Sequence, residues 1–138
     1  MRVLAAKNGG FCFGVRNAVK AAESWIGQGR PVCTLGPIIH NPQVVEDLQS
    51  RGVEPVNSVE EIPPNAVAII RSHGVGPEVY EACRARGVEI VDATCPFVQR
   101  IHETVQKHSR EGQSIVIVGK ADALPFSAVL RLLLRTSA

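Results

Sequence analysis

The sequence has almost no excess of charge of either sign: 15 Lys and Arg stand against 13 Asp and Glu, for a net charge of +2 over 138 residues. With its cations scattered, so small a surplus leaves no footprint for nucleic acid or an anionic membrane surface. No apolar run reaches the roughly 18 residues that would span a bilayer. The four cysteines, Cys12, Cys33, Cys83 and Cys95, form no C-x-x-C pair, and no basic and apolar leader opens the chain. A disulfide framework is therefore not expected, and a reducing cytoplasm is. The phosphate-loop pattern G-x-x-x-x-G-K-S/T and the dinucleotide pattern G-x-G-x-x-G are both absent, as are close repeats and low-complexity segments.

What is there suits a globular chain. Hydrophobic residues make up 45% and charged residues 20%, and the length fits one ordinary domain or two small ones. Short apolar runs alternate with helical periodicity. Strands are expected at Met1 to Ala6, Pro31 to Leu35, Ala66 to Ile70, Val88 to Val91 and Ser114 to Val118. Helices are expected from about Gly14 to Ile26, from Pro42 to near Arg51, from Pro77 to about Cys83 and from Pro96 to about Arg110. Asn41-Pro42 pairs a preferred N-cap with a residue suited to the first helical position, and Gly52 and Gly87 are stop signals. Ser58-Val59-Glu60-Glu61 has the form of a capping box, cut to one turn by Pro63-Pro64. Strands alternating with helices argue for an α/β fold with mainly parallel pairing.

Cys12, His40, His73 and Cys95 each fall just after an expected strand and at or before an expected helix. In open α/β sheets, ligands bind outside the carboxyl ends of the strands. Helix N-termini there offer unpaired N–H groups and partial positive charge, which suit phosphate, and imidazole adds hydrogen bonds. The alternative for each histidine is a turn cap in a satisfied polar niche. Cys95, before Pro96, is the expected cap of its helix, a position that favours the thiolate. Cys12 lies between Phe11 and Phe13, and the aromatics either shield a redox centre or pack inward as a core turn. Cys33 in a strand and Cys83 on an apolar helix face read as packing residues. Spacing alone leaves open a zinc site of two Cys and two His, a redox cluster or a nucleophilic cysteine.

Four motifs occur in order: Gly10-Phe11-Cys12-Phe13-Gly14-Val15, Gly36-Pro37-Ile38-Ile39-His40-Asn41, Arg71-Ser72-His73-Gly74-Val75 and Asp92-Ala93-Thr94-Cys95-Pro96. Together they resemble the LytB family, the 4-hydroxy-3-methylbut-2-enyl diphosphate reductases that end the non-mevalonate isoprenoid pathway. The resemblance runs from Met1 to about Asp122. It implies a three-domain α/β reductase of which this chain holds the first domain and part of the second. Residues 1–13 would be an N-terminal strand and cluster loop, 14–95 the first domain, 96–122 the start of the second, and 123–138 a tail outside the family pattern. It further implies that Cys12 and Cys95 are ligands of a [4Fe-4S] cluster completed by a cysteine from a later domain. His40 and His73 would contact the diphosphate of a small allylic substrate. Electrons would come from a ferredoxin or flavodoxin.

The resemblance stops abruptly. The family follows its Lys-Ala-Asp with His-Pro-Glu, the His on diphosphate and the Glu on the proton-delivery path. This chain reads Lys120-Ala121-Asp122-Ala123-Leu124-Pro125-Phe126, with neither. No catalytic proton donor is therefore assigned to it. The change reads as a frameshift, a mis-joined gene or a partial product, and the polypeptide alone is expected to be inactive or nearly so.

Overall fold

The computed structural model describes residues 3–4, 9–118 and 129. Among these residues four parallel strands form one sheet in the order β2-β1-β3-β4, where β1 is Val32–Leu35, β2 Val53–Val56, β3 Val67–Ile70 and β4 Glu89–Asp92. The helices are α1 (Phe13–Trp25), α2 (Pro42–Ser50), α3 (Pro77–Ala85) and α4 (Pro96–Arg110), with one 3₁₀ turn at Val59–Glu61. The fold is thus α/β and the sheet wholly parallel. No helix among the described residues is long and apolar enough to cross a membrane.

The two central strands read Val-Cys-Thr-Leu and Val-Ala-Ile-Ile, and every residue in them is buried. That near-continuous apolarity follows from being covered on both faces. On one face Val32, Val53 and Ile69 meet Ala18 and Ala22 of α1 and Leu48 of α2. On the other, Cys33, Leu35, Ala68 and Ile70 meet Val59, Ile62 and Cys83. Cys33 and Cys83 are packing residues, and burial pushes both thiols up; Glu54 adds to the effect at Cys33.

Local signals place the helix ends well. The Asn41 side chain accepts a hydrogen bond from Val44 N–H at 3.2 Å, capping α2. Gly87, at φ +65, ends α3, its N–H donating to Arg84 O while Val88 N–H donates to Cys83 O. The capping box forms only in part: Glu61 Oε2 accepts from Asn57 N–H at 2.9 Å, one residue before the cap, and Ser58 makes no side-chain cap bond.

Two elements depart from expectation. β2 is unannounced by the sequence because Pro55 interrupts it; it lies at the sheet edge, where a missing N–H is tolerated. The strand expected over Ser114 to Val118 is not formed. Val116 and Val118 are 86% and 94% exposed, and among the described residues no neighbouring strand offers the ladder that extended backbone requires. Of the expected strand Met1 to Ala6, Val3 and Leu4 belong to no regular element and are exposed. Its other four residues, and the tail 123–138 apart from Val129, lie outside the described residues.

Candidate active site

The strand order reverses direction between β1 and β3: the chain runs from β1 outward to β2, then returns to add β3 and β4 on the other side. Such a switch point parts the loops that follow the two central strands and opens a crevice at their carboxyl ends. The loop after β1 carries His40 and the loop after β3 carries His73. Their rings meet across this crevice, 5.2 Å apart between centroids and tilted by 47°. His40 is exposed, whereas His73 is partly buried with Nδ1 shielded and without a partner among the described residues. Burial chiefly, then His40 and the Arg71 guanidinium, hold the His73 imidazole below its usual proton affinity.

The segments that bear the two cysteines meet by a different route. Cys12 is the N-cap of α1 and Cys95 the N-cap of α4, neither with a side-chain cap bond. A Cβ built on Gly14, in the first turn of α1, would stand 2.7 Å from Cys95 Sγ and 2.8 Å from its Cβ. Glycine is therefore required where α1 meets Cys95, two residues past Cys12. Cys95 N–H donates to Ser72 O at 2.9 Å, which ties its loop to the one bearing His73. Phe11 and Phe13 are 39% and 51% exposed, so they do not form the inward-packed core turn.

Supporting groups frame these loops. Asp92 accepts from Tyr80 Oη at 2.8 Å through Oδ2 and from Thr94 N–H at 2.9 Å through Oδ1. Gly74, at φ +72, leaves room for His102 and Thr94: a Cβ there would meet His102 Cε1 at 2.9 Å and Thr94 Cγ2 at 3.2 Å. His102, Tyr80 and the role of Arg71 are not legible in the sequence, since each acts through a contact between segments distant in the chain. A cavity of about 660 Å³ opens beside the crevice, walled in part by Gly36, Asn57 and Arg71. None of the two cysteines and two histidines lines it. His40 lies instead in a separate depression of about 430 Å³ at the start of α2.

Two thiols at neighbouring helix N-termini match the soft donors of an iron–sulfur cluster in kind. Among the described residues no group of three His, Cys, Asp or Glu is close enough to hold a metal ion. The fit is that of a partial ligand set.

Comparison with known proteins is specific. The LytB protein family matches residues 3–130. The 4-hydroxy-3-methylbut-2-enyl diphosphate reductase of Citrifermentans bemidjiense is 50% identical over 121 residues, covering 88% of this chain and 43% of that protein. That of Aquifex aeolicus is 49% identical over 120 residues, covering 86% and 41%. Among solved structures, an (E)-4-hydroxy-3-methyl-but-2-enyl diphosphate reductase, described as the terminal enzyme of the non-mevalonate pathway, matches with a TM-score of 0.83 at 44% identity. It covers 98% of this chain and 48% of the other. The Plasmodium falciparum reductase matches with a TM-score of 0.88 at 24% identity, covering 94% and 41%, and bears on the fold alone. The chain spans less than half the length of the relatives it matches.

Proposed function

The chain belongs to the LytB family, and from that premise we propose that it is the portion of a reductase that contributes two cluster ligands and grips the substrate diphosphate. The reaction is the two-electron, two-proton removal of the hydroxyl of 4-hydroxy-3-methylbut-2-enyl diphosphate as water, giving isopentenyl and dimethylallyl diphosphate. The observation that carries this reading is the convergence of Cys12, His40, His73 and Cys95 on loops joined by the Gly14–Cys95 contact, the Cys95–Ser72 hydrogen bond and the His40–His73 ring pair.

In this reading Cys12 and Cys95 hold a [4Fe-4S] cluster, which when bound supplies electrons and a Lewis-acidic iron for the leaving oxygen. A further protein ligand and a proton-delivering carboxylate would, on this reading, come from other segments of the reductase. His40 and His73 donate hydrogen bonds to phosphate oxygens across the switch point. The N-terminus of α2, directly after His40, adds partial positive charge. Phe11 and Phe13 offer apolar surface that keeps water from the thiolates. Residues 14–95 form the first domain in this scheme, 1–13 the cluster loop and 96–122 the start of the second domain. A ferredoxin or flavodoxin donates the electrons, and a reducing cytoplasm suits the free cysteines.

Anaerobic reconstitution with iron and sulfide, followed by iron, sulfide and zinc analysis, tests the proposal. A brown protein whose visible absorption is lost in Cys12→Ser or Cys95→Ser is the expected result. A colourless protein carrying stoichiometric zinc would overturn it.

A further inference from the structure

We infer that Arg71 is a positioning residue for the anion site: it braces the His40 loop against the His73 loop and supplies the fixed positive charge between them. This rests on the diphosphate-binding reading given above.

Arg71 leaves the carboxyl end of β3, two residues before His73. Its guanidinium lies across Gly36, the first residue after β1, with Nη1 2.7 Å from where a Gly36 Cβ would stand. Gly36 is at φ +71, a conformation side chains disfavour, and a side chain there would also have to displace the guanidinium. Arg71 thus spans the switch-point crevice alongside the two imidazoles, joining the same two loops from the cavity side.

The guanidinium is half-buried, and its Nε is shielded and meets no acceptor among the described residues. Burial lowers its proton affinity, and no carboxylate is among the causes acting against that. A half-buried guanidinium whose Nε meets no acceptor among the described residues is costly to the fold, and an anion drawn into the crevice offsets part of that cost. The histidines do not supply equivalent charge. His73 is held toward its neutral form, in part by Arg71 itself. Arg71 keeps its proton throughout the working pH range. A multiply charged anion at the imidazoles is therefore attracted by a charge it need not touch, within roughly a Debye length.

The test is titration of the 138-residue chain with inorganic pyrophosphate, following the His73 ring by NMR at low and at about 0.3 M salt. Arg71→Gln should weaken binding about tenfold at low salt, flatten its salt dependence and raise the His73 proton affinity. Arg71→Lys keeps the charge but not the planar fork, so it should hold the His73 titration near that of the parent chain and restore much of the binding. Thermal melts establish that both variants fold. Unchanged affinity and salt dependence in Arg71→Gln, with binding still lost in His40→Asn and His73→Asn, overturns the role of Arg71 alone. Equal damage by Lys and Gln with no change at His73 also overturns it, as loss of packing rather than charge. Absence of pyrophosphate binding by the parent chain overturns the diphosphate reading and this inference together.

Discussion

Tyr80 on α3 donates a 2.8 Å hydrogen bond to Asp92 Oδ2, and the other oxygen of the same carboxylate accepts from Thr94 N–H, one residue before Cys95. The carboxylate is therefore held from a neighbouring helix while it shapes the turn that presents the thiol. Burial, followed by the bond to Asp92, keeps the Tyr80 hydroxyl protonated well above its usual range. Tyr80→Phe removes a charge-assisted bond at a partly buried position and should cost about 1–2 kcal/mol in urea unfolding. It should also quicken Cys95 alkylation as the turn loosens. Unaltered stability and reactivity would show that Asp92 holds the turn unaided.

Gly14→Ala sets two effects against each other. Alanine normally gains about 1 kcal/mol over glycine in a helix. Against Cys95 the added methyl has no room, and overpacking costs about 1–3 kcal/mol. The variant is expected to be less stable by calorimetry, with Cys95 displaced and fewer iron atoms retained after reconstitution. A stabilised Gly14→Ala chain would mean that the Cys95 loop yields freely.

The four thiols should separate by reactivity. Cys12 is exposed, Cys95 partly so, and Cys33 and Cys83 are buried with raised proton affinities. Timed iodoacetamide labelling read by mass spectrometry should modify Cys12 first and Cys95 next. Cys33 and Cys83 should react only on unfolding. Early labelling of Cys33 would contradict the central packing of β1.

Stability should fall on mild acidification. His73 and His102 both bind protons less readily in the fold, in each case chiefly through burial; Asp92 partly opposes this at His102. Between their depressed values and the unfolded value of about 6.5, the unfolded chain carries more protons. The stability present above about pH 6.5 is therefore lost as pH falls below it. Melting temperatures measured from about pH 7.5 to 5.5 should decline, and the slope should lessen in His73→Asn and in His102→Asn. A rise on acidification would reverse the assigned sign.

Much of the fold was legible because its signals are local. Pro96 at the first helical position marks the start of α4, and Asn41-Pro42 marks that of α2. The apolar runs of β1 and β3 reflect burial on both faces, which any window of the sequence records. β2 escaped because Pro55 masks an edge strand, and Ser114 to Val118 misled because a run of apolar β-branched residues does not make a strand without a partner. At the site, residue type and position after an expected strand singled out Cys12, His40, His73 and Cys95. Their arrangement was not legible. The switch point depends on strand order, and Gly14 against Cys95, or Arg71 across Gly36, joins segments that no local pattern relates.

The contact of Gly14 with Cys95 also sets an order of events in time. Among the described strands, one partner precedes the first and the other follows the last, so their contact spans the whole described sheet. Contacts so distant in sequence form late, because the loop between them must first be closed by other interactions. A compact zinc motif can nucleate the domain around its ion, whereas the Gly14–Cys95 contact is expected to follow formation of the apolar core. On the proposed reading, loading of a cluster would be a maturation step on a chain already folded. Damage to whatever the thiols hold should leave a sheet that can be filled again.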